Sequence, residues 1–273
     1  MRTIYLHNEF HLGDNVFNII LISNIIKKYI IDNNIKIYYY CQDNYIDQVK
    51  EFNNCSNNVI ILPINEKPKN SLQLWINNKT INFTMDKVYT EVIKRGMKRL
   101  FYDIYYCNFF NKFFDLFKVR LKLVKFYYKD RDLRIRHRNI MNNFNEKYKN
   151  IDILVINSQP FSEQYKYNKL EWDNYIVELN KKYKIITTTK VDGINCTMDD
   201  NFTIKDIASL SINIPVIIAV NSGVVPGLLN KYTLNNVKQF YVFDDRCKYS
   251  YKKFQNKENI NDIKFVELDK YIF

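Results

Sequence analysis

Glycine and proline are scarce in this chain of 273 residues, five of each. Gly13, Gly96, Gly193, Gly223 and Gly227 are the whole glycine set. Each is therefore informative: a glycine kept against such a bias serves a backbone need, either a positive φ or close approach to a ligand. The abundance of Lys, Asn, Ile and Tyr fits an AT-biased coding sequence, so runs such as Ile31-Asp32-Asn33-Asn34 carry little weight. The five cysteines are odd in number and form no CxxC pair, which argues against a zinc site and a disulfide framework and for free thiols in a reducing compartment. No stretch approaches the roughly 18 uninterrupted apolar residues of a membrane span. Met1-Arg2-Thr3 leads straight into a strand-like run with no signal-peptide pattern, so a cytoplasmic location, soluble or peripheral to a membrane, is expected. There is no GxGxxG dinucleotide fingerprint, no GxxxxGK[ST] loop and no GxSxG elbow. No DxD triplet follows a strand, and Asp199-Asp200 and Asp244-Asp245 are weak substitutes, so no metal is expected.

What is present describes a globular chain. Hydrophobic residues make up 47% and aromatics 16%, with 22 Tyr and 19 Phe, which excludes a disordered chain. The net charge of +12 favours anionic partners: nucleic acid, acidic lipid or phosphorylated small molecules. Apolar runs and helical spacings alternate in a β-α-β-α-β rhythm over Thr3–Leu6, Val16–Tyr29, Ile35–Cys41, Asn44–Phe52 and Val59–Ile64. The alternation restarts at Ile151–Asn157 and continues through Glu171–Tyr183, Lys184–Thr188, Ile204–Leu210, Val216–Val220 and Gln239–Phe243. Between them, Met85–Tyr148 is aromatic, basic and helical in spacing. The predicted class is α/β: two Rossmann-like domains, 1–148 and 149–273, facing a central cleft with ligands at the strand carboxyl ends. The basic aromatic region 95–138 either fills the first domain's core or makes peripheral contact with an anionic membrane.

Three connections carry candidate chemistry. His11-Leu12-Gly13-Asp14 follows the first strand. Asp14 is either a helix N-cap or a general base, with His11 assisting it or binding phosphate. Asn221-Ser222-Gly223-Val224 joins an apolar strand to a helix and holds a scarce glycine. It is either an ordinary β-α turn or a phosphate cradle of backbone amides and a hydroxyl. Ser158 and Gln159 also follow a strand, and Lys166 or Lys169, just before the Trp172 helix, can neutralise a diphosphate.

As an ordered set, these features resemble the two-domain (GT-B) glycosyltransferases of the heptosyltransferase type, glycosyltransferase family 9. The resemblance covers the first ~40 residues and Ile151–Phe243. It implies a nucleotide-sugar donor as substrate, a glycan or lipid-linked hydroxyl acceptor, and no metal or other cofactor. By resemblance Asp14, after Gly13, is the catalytic base, and Ser158 and Lys169 match the family's hydroxyl loop and its lysine ahead of a Trp-containing helix, with Gln159 beside them at the donor cleft. Lys190 and Asp192 stand at the ribose, Phe202 and Thr203 at the nucleobase, and Asn221, Ser222, Gly223 and Val224 at the phosphate. Two positions depart from the family: Asn221 replaces an acidic residue and Pro226 replaces a histidine, which bears on the donor. A basic nucleic-acid-binding protein and an inactive binding module of the same fold are the alternatives; on the transferase reading, no nucleic acid is expected.

Overall fold

A computed structural model describes residues 2–29, 35–74, 128–161, 165–243 and 264–267. The chain divides into two compact units, Met1–Phe126 and Tyr127–Phe273, each built on a parallel sheet.

In the first unit, β1 (Arg2–His7), α1 (Leu12–Tyr29), β2 (Ile35–Cys41), α2 (Ile46–Glu51), β3 (Val59–Pro63) and the short β4 (Leu72–Gln73) follow in order. The sheet order is β3-β2-β1-β4, with every pairing parallel. Branched and aromatic residues make these strands, as a pleated, covered surface requires. Helix α1 is buried at every position from Asn15 to Ser23, Val16, Phe17, Ile19, Ile20, Leu21 and Ile22 among them, the pattern of a helix covered on all sides. It begins at Leu12, so Gly13 and Asp14 lie inside its first turn and not in a turn ahead of it. Asp14 is therefore not the N-cap.

The second unit opens with α3 (Asp132–Asn143) and α4 (Asn145–Tyr148). There follow β5 (Ile153–Ile156), α5 (Lys169–Asn180), β6 (Ile185–Thr187), α6 (Ile204–Leu210) and β7 (Val216–Val220). The single turn α7 (Val225–Leu228), then α8 (Lys231–Asn236), β8 (Gln239–Phe243) and β9 (Lys264–Glu267) complete it. Its sheet runs β6-β5-β7-β8-β9, again with parallel pairings. Strand β5 is buried at every position, the mark of a parallel strand covered on both faces. Trp172, Ile176 and Leu179 of α5 pack on Ile153, Val155, Ile218, Val220 and Phe243. Trp172 is fully buried, with its ring edge-on to Phe243 at 4.9 Å and stacked on Tyr167 at 6.1 Å.

The stretch 128–148, expected in the first half, packs within the second unit. Arg136 reaches Asp206 of α6 at 3.0 Å, and the buried Lys205 of α6 pairs with Asp130 at 2.9 Å and Asp132 at 3.0 Å. Most of the basic aromatic region, 95–127, lies outside the described residues. No helix among the described residues is long and apolar enough to cross a membrane.

Candidate functional site

In each sheet the first strand lies between the two strands that follow it in opposite directions, so each sheet has a switch point: β1 against β4, and β5 against β7. Loops leaving the carboxyl ends of such strands diverge and open a crevice.

At the first switch point the backbone is tied down on both sides. Leu74 N–H donates to the His7 carbonyl at 2.9 Å, and Asn8 N–H donates to the Tyr40 carbonyl at 3.0 Å. The His7 ring contacts the Ser71 hydroxyl through Nδ1 at 2.9 Å. Asn8 is fully buried. Its Oδ1 accepts from Phe10 N–H at 2.8 Å, while its Nδ2 is buried with no partner among the described residues. Glu9 pairs with Lys67; that hydrogen bond is the main reason its carboxyl sits below the ordinary range. The loop is held from below as well. Asn15 Nδ2 donates to the carbonyls of Phe10 at 3.2 Å and His11 at 2.9 Å. Tyr39 OH donates to Asn15 Oδ1 at 2.7 Å and accepts from Asn18 Nδ2 at 3.1 Å. This network rigidly presents the first turn of α1, where Gly13 is buried and His11 and Asp14 are half-buried. A carboxylate in that turn sits near the positive end of the helix dipole. Burial, with smaller contributions from Cys41 and Asp14, pushes the Tyr39 hydroxyl well above its usual range against the opposing bond from Asn18.

At the second switch point Asn157, directly after β5, holds the ends of β5 and β6 together. Its Oδ1 accepts from Thr189 N–H at 2.9 Å and Thr188 N–H at 3.2 Å, and its Nδ2 donates to the Thr189 carbonyl at 3.2 Å. Ser158 Oγ lies 3.3 Å from Thr188 Oγ1, and Gln159 is exposed beside it. Tyr167 OH donates to the Asn157 carbonyl at 2.8 Å, which brings the loop after β5 back onto its own strand. On β7, paired with β5, Asn221 N–H donates to the Phe243 carbonyl at 3.0 Å. Asn221 and Ser222 are buried, and Gly223 is exposed with Val224 half-buried. Ser222 Oγ is buried with no partner among the described residues. Because α7 is a single turn of four residues, its dipole is small, and the polar groups of this turn are the Ser222 hydroxyl and the backbone amides.

The other expected residues stand on the same carboxyl edge, in various states of engagement. Lys169 is exposed at the start of α5 and pairs with Asp173 four residues on. Lys190, after β6, is exposed and lies 3.4 Å from Asp199. Asp192 is exposed next to Gly193, whose φ of +75° requires glycine in that turn. The Phe202 ring packs against Phe144 at 5.8 Å and Tyr148 at 5.1 Å. Thr203 caps α6: its Oγ1 accepts from Asp206 N–H at 3.3 Å while Thr203 N–H donates to Asp206 Oδ2 at 3.0 Å. Among the described residues no group of three or more His, Cys, Asp or Glu is placed to hold a metal. Burial pushes the Cys41 thiol up to about 12.

Two parallel α/β bodies, each with polar residues gathered at its switch point, define the Rossmann-like, two-body class. The chain is similar in fold to a solved structure, the glycosyl transferase family 9 protein from Veillonella parvula DSM 2008. The TM-score is 0.54 and the identity 13%, over 99% of this chain and 88% of that one. The GT-B type of architecture expected from the sequence is thus the one observed. No protein-family model matches the chain, and no curated protein does.

Asn8, Asn157 and the Tyr39-Asn15-Asn18 network were not among the expected site residues. Asn15 and Asn18, three residues apart in the apolar middle of α1, are a readable signal, and so is an Asn directly after an all-apolar strand. Both are hidden by the general abundance of asparagine.

Proposed function

We propose that this protein is a glycosyltransferase that moves a sugar from a nucleoside-diphosphate donor to a hydroxyl acceptor. One observation carries the reading: the Ser222 hydroxyl, buried at the carboxyl end of β7 beside β5, has no hydrogen-bond partner among the described residues. A buried polar group without a partner costs about 1–3 kcal/mol, and a phosphate oxygen is the acceptor that this turn and its neighbouring amides best accommodate. The fold likeness to a family 9 glycosyltransferase supports the same reading.

On this reading the turn Asn221-Ser222-Gly223-Val224 receives the diphosphate, with Ser158 and Gln159 in the loop that follows the paired strand β5. Lys169, Lys190 and Asp192 complete the donor's polar contacts, with Phe202 and Thr203 at the base. Asp14 takes the proton from the acceptor hydroxyl as that oxygen attacks the anomeric carbon, and His11 assists it. The leaving nucleoside diphosphate keeps the bonding electron pair, and its growing charge is met by preorganised donors. Asn8 Nδ2, also without a partner among the described residues, offers a donor to the acceptor beside Asp14.

The test pairs two variants. Ser222→Ala leaves the melting temperature of the free protein unchanged or raised, because it removes a hydroxyl that had no partner, and weakens nucleoside-diphosphate binding roughly tenfold. Asp14→Ala abolishes transfer while binding persists. Normal turnover in Asp14→Ala sinks the base assignment, and unchanged binding in Ser222→Ala sinks the phosphate site. Nucleotide-sugar binding with neither transfer nor donor hydrolysis would make the chain a binding module of this fold.

A further inference from the structure

We infer that the flank of the second unit carries a separate binding site for a compact ligand with two or more phosphate groups. The inference does not depend on the transferase reading. Between α3 and α8 lies an open depression of about 1020 Å³, lined by Lys129, Arg131, Arg134, Arg138 and Lys231. Five cations share one concavity, and no acidic side chain among the described residues lines it. Ile212 and Asn213 of its lining come ahead of β7, Lys129 and Lys231 flank the Tyr128–Asn230 bridge after α7, and no lining residue belongs to the turn Asn221–Val224.

The local carboxylates are turned elsewhere. Asp130 and Asp132 face Lys205 at 2.9 Å and 3.0 Å, and Asp206 takes Arg136 at 3.0 Å. Helix α3 thus divides its arginines: Arg136 packs toward α6, whereas Arg131, Arg134 and Arg138 are exposed toward the depression. None of these three has a carboxylate partner among the described residues. Arg134 instead lies over the Tyr232 ring at 5.4 Å, a contact that restrains the guanidinium without neutralising it. The wall is also fixed: His137 Nδ1 bonds the Ser209 carbonyl at 2.9 Å, and its Nε2 meets Asn213 Nδ2 at 2.8 Å.

Guanidinium forks match phosphate oxygens in pairs. Like charges gathered in a concave wall raise the local anion concentration far more than the same charges spread over a surface. One phosphate satisfies one or two of these cations, so five favour several linked phosphates. A concave site also suits a compact ligand better than a planar membrane, which touches only the rim.

The test uses the full chain and the double variant Arg134→Ala/Arg138→Ala, on the exposed face of α3, with circular dichroism and melting temperature as the folding control. Titration calorimetry with tripolyphosphate should show binding that weakens at least roughly tenfold in the variant and with added salt. Orthophosphate should bind far more weakly than tripolyphosphate. Vesicles of phosphatidylcholine with and without phosphatidylglycerol, and a single-stranded oligonucleotide, form the other arms. Loss of tripolyphosphate binding in the variant, with vesicle binding absent or unchanged, supports the site. Tripolyphosphate binding that the variant leaves unchanged, or orthophosphate binding as tight as tripolyphosphate, overturns the inference. So does a loss confined to vesicles or to the oligonucleotide.

Discussion

The Tyr39 hydroxyl joins the core of the first unit to its candidate site, because it donates to Asn15 Oδ1 and Asn15 in turn holds the carbonyls of Phe10 and His11. Tyr39→Phe removes a donor from a buried acceptor and should cost about 1–3 kcal/mol, read as a lower denaturant midpoint. Asn15→Leu/Tyr39→Phe removes this donor and its acceptor together and should recover part of that loss, yet it leaves Asn18 Nδ2 without its acceptor and the His11 loop unanchored. Equal midpoints for wild type and Tyr39→Phe would show that the network contributes nothing. His137 carries a second residue-scale prediction. Its bond to the Ser209 carbonyl places the proton on Nδ1, so Nε2 accepts from Asn213 and the ring is neutral. Burial lowers its pKa against the opposing backbone bond. A base lowered in the folded state stabilises fully above the unfolded value of about 6.5, and that stability is lost as pH falls through the folded value. Wild type should therefore lose more stability than His137→Gln on acidification below about pH 6.5. Parallel melting curves for the two across that range would refute the assignment.

At the scale of elements, the two sheets were legible because each strand is a short apolar run followed by a helical spacing. Residues Ile35–Cys41, Val216–Val220 and Gln239–Phe243 lie in strands where the pattern put them. Two things escaped. Strand β9 at Lys264–Glu267 pairs with β8, and its short apolar pair Phe265-Val266 is easily lost in the polar sequence ahead of it. The attachment of α3 to the second unit was hidden because Arg131–Arg138 reads as a run of positive charge. What decides it is that Lys205, only 5% exposed at its side chain, meets two aspartates of the α3 segment. Lys205→Met keeps the volume but leaves Asp130 buried and unpaired, and should cost about 3–5 kcal/mol. Adding Asp130→Asn should return much of that. If Lys205→Met melts like wild type, α3 is not held to α6 by this charge cluster. Of the candidate site, the sequence placed both segments after their strands: Asn221-Ser222-Gly223 as a turn, and Gly13-Asp14 as a turn where the helix has already begun. The state of each side chain was not legible. Lys169 engages its own helix, and Phe202 lies in an aromatic cluster, because single lysines and aromatics reveal no partners in sequence.

At the scale of the molecule, the chain consists of two units, each with its own sheet, core and polar network at the strand ends. Stability is then a property of each unit, and local opening should follow unit boundaries. Hydrogen exchange of the full chain resolves this. Tyr39→Phe should speed exchange in the first turns of α1, which its network holds, and leave β5 and β7 near wild-type protection. A nucleoside diphosphate at Ser222 should do the converse. Binding to the native form alone adds stability that grows with ligand concentration, and the added protection should concentrate in β5, β7 and the turns that follow them. Ser222→Ala should weaken that response, whereas Tyr39→Phe should preserve it. Ligand protection confined to the first unit would place the diphosphate at Asn8 and Asp14 and reverse the roles assigned to the two switch points.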